Sequence, residues 1–223
     1  MRKETKKYYF SVEGETEQWY FEWLQRSINL TATASYAVKF DCHIQKDPMK
    51  RAKGLISLGK TEITHIMDRE SEEDIHVQQF ETVLSRMKSA EGLGKNIKYS
   101  LGYSNYAFEL WITLHKAECN SMLSHRRQYL SLLNRAYAEQ FENLDQFKHE
   151  DNFKRILGKL SLDDVSHAVR RSKAIMQENQ EKGYVLRQYK GYKYYIENPS
   201  LSVWEIVERI LIDCGLPSVT TTL

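Results

Sequence analysis

The feature that most restricts how this chain folds is the alternation of strand-like and helix-like segments through its first half. Residues Tyr8–Val12 (YYFSV) are aromatic and β-branched, the composition of a strand. EGETEQWYFEWLQRSI follows with apolar residues at helical spacing. Trp19, Tyr20, Trp23 and Leu24 fall on one side of that helix, and Glu17, Glu22 and Arg26 are expected to face away. Tyr36–Ile44 reads as a second strand, Pro48 opens a short helix ending near Gly59, and Ile63–Met67 reads as a third strand. A helix over about Ile75–Lys88 and a fourth strand over Asn96–Leu101 complete the series. That rhythm predicts an α/β fold, a mostly parallel four-stranded sheet flanked by helices.

After Tyr106 the pattern turns helical. Helices are expected over Ala107–Lys116, about Met122–Glu142, Phe153–Leu160, Leu162–Lys182 and Leu201–Cys214. Ser161 with Asp164, and Ser202 with Glu205, have the spacing of capping boxes. The chain therefore divides into an α/β core over residues 1–117 and a helical C-terminal region over 118–223, packed on it.

Composition excludes several classes. Cys42, Cys119 and Cys214 are odd in number and form no CxxC pair, which argues against a disulfide framework or a cysteine zinc site. His115 and Cys119 have an i, i+4 spacing but no second half of a zinc site, and His115 is expected to be buried and hydrogen-bonded. No apolar run reaches the length of a membrane span, and MRKETKK leads into a strand rather than resembling a signal peptide. A cytoplasmic location is expected.

In an open parallel sheet, chemistry sits at the carboxyl ends of the strands, and acidic residues stand there. Glu13-Gly14 closes the first strand, and Asp68-Arg69-Glu70 closes the third. Residues two apart in an extended segment point the same way, so Asp68 and Glu70 could face one cation. Magnesium takes hard oxygen ligands, often one or two carboxylates completed by water and phosphate. The competing reading is a solvated acidic loop, to which Glu72, Glu73 and Asp74 are assigned. Glu109, in the helix after the fourth strand, either reaches this site or stabilises the helix N-terminus; Asn105 is expected to cap that helix.

The formal charge of +2 conceals an uneven distribution, with seven acids and one base between Glu62 and Glu81. Between Lys182 and Tyr195 stand Lys182, Arg187, Lys190 and Lys193, no acids, and five of the chain's 14 tyrosines. Cations that pair with phosphates, interleaved with rings that stack on bases, suit a nucleic-acid contact through Tyr189 and Tyr192, which Arg170 and Arg171 could extend. The same residues also suit a hairpin whose tyrosines pack on the body while its lysines are solvated.

The combination of VEGETE after the first strand with an aspartate-led acidic motif after the third resembles the Toprim fold. Ser104-Asn105-Tyr106-Ala107-Phe108-Glu109-Leu110-Trp111 with Leu114-His115, and the later Asn198-Pro199-Ser200, are similar to the SNPxFExWLLLH and NPS elements of the RloB-like family. The resemblance implies a Toprim-like core with a helical extension. It also implies an Mg²⁺- or Mn²⁺-dependent nuclease of DNA or RNA, acting in phage defence by abortive infection with a protein partner encoded beside it. Glu13 matches the Toprim glutamate, a general acid/base or metal-proximal group, and Asp68 matches a magnesium ligand. Glu70 stands where a second aspartate is expected, and Tyr106 stands in place of the family's proline. A catalytically degenerate module that binds nucleic acid or a partner protein is the alternative.

Overall fold

Four segments rich in β-branched and aromatic residues form one sheet in the computed structural model, which describes residues 3–56, 59–119 and 125–217. They are β1 (Thr5–Val12), β2 (Ala37–Ile44), β3 (Thr61–Arg69) and β4 (Ile97–Asn105), in the order β2-β1-β3-β4. Every neighbouring pair is parallel, so β1 and β3 lie side by side in the middle and their carboxyl ends open on one crevice. This architecture is consistent with the Toprim-like expectation; β1, β3 and β4 run further than their apolar patterns suggested, and β2 keeps to its expected span within a residue.

The crossovers are α1 (Glu15–Leu30), α2 (Pro48–Gly54) and α3 (Asp74–Glu91). Pro48 stands at the start of α2, where its missing N–H is not needed, and Asp47 accepts from the Met49 N–H at 3.0 Å. The expected end of this helix near Gly59 lies partly outside the described residues; α2 stops at Gly54. On one face of the sheet, Phe10, Val12, Val38 and Ile66 pack against α1 and the helical half; on the other, Ile63, Met67, Tyr99 and Tyr103 pack with α2 and α3.

Helix α4 (Glu109–Lys116) follows β4, and α5 (Tyr129–Tyr137), α6 (Leu144–Lys148), α7 (Glu150–Leu157), α8 (Leu162–Glu181) and α9 (Val203–Asp213) complete the helical part. The first core is continuous across both parts, since Trp111, Tyr129, Phe153, Val169 and Val207 join Phe10 and Tyr20. Ser161 and Asp164 form the expected capping box.

Three local expectations are corrected. The helix expected over 122–142 ends at Tyr137, and residues 122–124 lie outside the described residues. Ala138 is left-handed (φ 53°), and Asn134 clamps the reversal by accepting from the Phe141 N–H and donating to the Phe141 carbonyl, both at 2.9 Å. Asn105 does not cap α4. Its buried amide donates instead to the Glu197 carbonyl (2.6 Å) and Ser200 Oγ (2.7 Å), tying down the segment that contains the cis Asn198–Pro199 bond. Ser202 precedes α9 but makes no side-chain cap, because its hydroxyl accepts from the Tyr103 N–H and donates to the Leu101 carbonyl.

These contacts also cover the outer edge of β4, together with Ser202 N–H to the Tyr103 carbonyl and Asn105 N–H to the Ser200 carbonyl. The opposite edge is covered by side chains of α1. Asn29 bonds both the N–H and the carbonyl of Val38, Gln25 accepts from the Phe40 N–H, and Gln18 donates to the Cys42 carbonyl.

The segment after α8 folds as a hairpin, β5 (Arg187–Tyr189) and β6 (Tyr192–Tyr194), through a two-residue turn. Lys190 (φ 52°) and Gly191 (φ 95°) both take the positive φ that such a turn needs.

Candidate active site

Glu13 is the first residue beyond β1 and Asp68 the penultimate residue of β3. The adjacency of those strands brings the two together, and the Asp68 N–H donates to Glu13 Oε2 at 3.1 Å. Glu70 is not brought with them. Strand β3 ends at Arg69, so the alternation that would have aimed Glu70 alongside Asp68 stops one residue short. Glu70 is exposed, with an oxygen 3.4 Å from His76 Nε2, and Arg69 between them pairs with Glu72.

Two other carboxylates take up positions around the pair. Glu17 was expected on the polar side of α1, but it is 5% exposed. It belongs to the buried stripe Glu17, Tyr20, Phe21, Leu24 and Ile28. The missed signal was its i, i+3, i+4 spacing to Tyr20 and Phe21, which outweighs its charge. Glu109 is 2% exposed in the first turn of α4. Its Oε1 lies 2.8 Å from Lys148 Nζ as an ion pair, and both of its oxygens are buried with no hydrogen-bond partner. Lys148, from α6, is the second functional candidate that the sequence did not suggest; no local pattern links it to residues so far back in the chain.

The electrostatics bind these groups into one site. Burial pushes the Glu13 carboxyl up to about 7, and the charges of Glu17 and Glu70 add to the shift against the Asp68 N–H and Lys46. Asp68 is raised well above the usual carboxylate range by burial and then by Glu17, Glu13 and Glu109. Glu17 is raised by burial and by Glu109, against the pull of Lys148. Burial opposes the charge of Lys148, but Glu109, Asp68 and Glu17 outweigh it and its pKa rises. Negative charge is thus crowded at the ends of the two central strands and under-compensated.

Among the described residues, no group of three or more His, Cys, Asp or Glu stands close enough to form a ready-made metal cage. A hard cation held by one or two carboxylates, with water and phosphate completing its shell, does not require one. An all-oxygen donor set on Asp68 and Glu13 suits such an ion, and the unpartnered buried oxygens of Glu109 add uncompensated negative charge that acts on Asp68.

The RloB-like protein family model matches residues 8–210, nearly the whole chain. The chain belongs to the RloB-like family. No curated protein and no solved structure matched it. Against the family pattern, Tyr106 has a structural correlate in this RloB-like chain. Its φ is 64°, which a proline ring cannot adopt, and its N–H donates to the Arg69 carbonyl at 2.8 Å. The backbone joining β4 to α4 is therefore built differently from one that carries proline at this point.

The basic and aromatic candidates lie elsewhere in the RloB-like fold. Tyr192 and Tyr194 are buried in the second core, the latter edge-on to Phe80 at 4.9 Å, so Tyr192 offers no face for stacking on a base. Tyr189 is half-buried, and its hydroxyl accepts from Ser85. Arg187, Lys190 and Lys193 are exposed, and Lys182 pairs with Glu178 at 2.7 Å. Arg170 is exposed, but Arg171 donates to the Leu114 and His115 carbonyls at 2.7 and 3.0 Å, closing the end of α4. Among the described residues, no helix is long and apolar enough to cross a membrane.

Proposed function

We propose that this RloB-like chain is a divalent-metal-dependent phosphodiester hydrolase of DNA or RNA, the effector of a phage-defence (abortive-infection) system regulated by a protein encoded beside it. The observation that carries the reading is the pair of half-buried carboxylates, Glu13 and Asp68, at the carboxyl ends of the two central parallel strands, under-compensated and acted on by the charges of the buried Glu17 and Glu109. Asp68 and Glu13 would hold Mg²⁺ or Mn²⁺. When bound, such an ion supplies polarisation of the scissile phosphate and a lowered pKa for an attacking water. The Asp68 N–H fixes one oxygen of Glu13 at the strand end, leaving the other to orient toward the ion or a water. Burial of Glu17 and Glu109 keeps bulk water from screening the cluster. The exposed cations Arg187, Lys190, Lys193 and Arg170 would track the phosphate backbone, and the tyrosines beneath the hairpin shape that surface rather than stack.

The test is cleavage of mixed DNA and RNA with Mg²⁺, Mn²⁺ or EDTA. Metal-dependent cutting by the wild type, lost by 100-fold or more in Asp68→Asn and Glu13→Gln, is the expected outcome. Unchanged cleavage in both variants overturns it. A second reading, a non-catalytic module that binds nucleic acid or a partner protein, is favoured by Glu70 turning to His76. It prevails if nucleic acid is bound but never cut and no Mn²⁺ binds.

A further inference from the structure

The carboxylate cluster already contains a cation. Lys148 sits on a five-residue helix, and its Nζ lies 2.8 Å from Glu109 Oε1. Its charge is felt at Asp68 and Glu17 as well as at Glu109. The side chain is 35% exposed where Glu109 is 2% exposed, so the ammonium meets the buried carboxylate from the open side of the site. The other oxygen of that carboxylate, Oε2, is buried without a partner. Neither oxygen of Glu109 has a hydrogen-bond partner, so Lys148 meets Oε1 as an ion pair alone and, among the described residues, Oε2 has no cation beside it.

Two-metal phosphodiester hydrolases place their cations about 3.5–4 Å apart across shared carboxylates, one beside the attacking oxygen and one beside the leaving oxygen. A second divalent ion on Glu109 Oε1 would need to approach to about 2.0–2.1 Å, against an ammonium already ion-paired with that oxygen at 2.8 Å. An ammonium carries three donors, and the partial exposure of Lys148 leaves room for a phosphate oxygen beside the ion pair with Glu109.

We propose that Lys148 replaces the second metal ion: the site would take a single divalent cation on Asp68 and Glu13, and the Lys148 ammonium, held by its ion pair with Glu109, would serve as the other positive pole for the substrate phosphate. This inference rests on the metal-dependent reading above and adds to it a stoichiometry and a residue. Lys148 is a contact for a phosphodiester oxygen, not a residue that only props up the fold.

The experiment counts Mn²⁺ bound to the full chain by titration calorimetry and by electron paramagnetic resonance of the free ion. It compares the wild type with Lys148→Met, which keeps the stem without the charge, and Lys148→Arg, which keeps the charge. One ion is expected per wild-type chain and per Lys148→Arg chain. Lys148→Met is expected to bind two ions, or one at least tenfold more tightly, with a larger Mn²⁺-induced rise in melting temperature than the wild type shows. Two ions on the wild type, or one ion with unchanged affinity on folded Lys148→Met, overturns the inference while leaving a metal-dependent hydrolase intact. Should Lys148→Met fail to fold, the wild-type count still decides. No Mn²⁺ bound by the wild type overturns the metal-dependent reading, and this inference with it.

Discussion

Tyr106 shows how one residue can set a junction. Its left-handed backbone lets its N–H reach the Arg69 carbonyl, so the end of β4 is stitched to the end of β3 one residue beyond Asp68. Proline there can supply neither the dihedral nor the donor. Tyr106→Pro is expected to lower stability by about 3 kcal/mol or more, and Tyr106→Gly, which accepts the dihedral but loses the half-buried ring, by less. Urea titration of both variants checks the order. The site was partly legible at this scale. Glu13 and Asp68 could be found because a carboxylate directly after an apolar strand has a fixed address in a parallel sheet. Glu17 could not be found by its charge, which assigned it to solvent although its spacing to Tyr20 and Phe21 assigned it to the buried stripe. Lys148 had no sequence signal, because its neighbours in the site come from α1, β3 and α4.

At the scale of elements, side chains expected as caps were diverted to sheet edges. Asn105 ties the 195–200 segment, and Ser202 bonds to Leu101 and Tyr103 instead of closing the start of α9. Asn105→Ala removes several buried hydrogen bonds at once and is expected to cost about 2–4 kcal/mol, since the abandoned carbonyls stay buried. The loss is expected to appear first as faster amide exchange in β4 and in residues 195–202, before global unfolding. Strands and crossovers were legible because periodicity dominates there. The break at Ala138 was not, because no glycine or proline marks it and the Asn134–Phe141 clamp that stabilises it is visible only in three dimensions.

For the molecule as a whole, the two parts of the chain share one core, and each face of the sheet holds one histidine neutral. His115, bonded to Tyr20 Oη at 3.1 Å and the Trp111 carbonyl at 2.8 Å, has its pKa pushed down to about 4 by burial. Burial likewise pushes His65, beside Ser11 at 2.6 Å, down to about 4. The unfolded chain takes up these protons near pH 6.5, so their contribution to stability is full above that value and is lost as pH falls toward 4. Glu13 acts with the opposite sign over pH 4.5–7, because the native state keeps a proton that the unfolded chain has released. Chemical denaturation of wild type and His115→Gln from pH 7 to 4 separates them; the variant is expected to show a shallower loss, by about 1.4 kcal/mol per pH unit at most. The covered margins of the sheet have a consequence for assembly. The Val38 N–H and carbonyl, the Phe40 N–H and the Cys42 carbonyl on one side, and the Leu101 carbonyl, the Tyr103 N–H and carbonyl and the Asn105 N–H on the other, are already bonded within the chain. A protein partner or a second copy would have to displace these bonds to join by β-augmentation at these positions, which favours assembly through helices, loops or the hairpin instead.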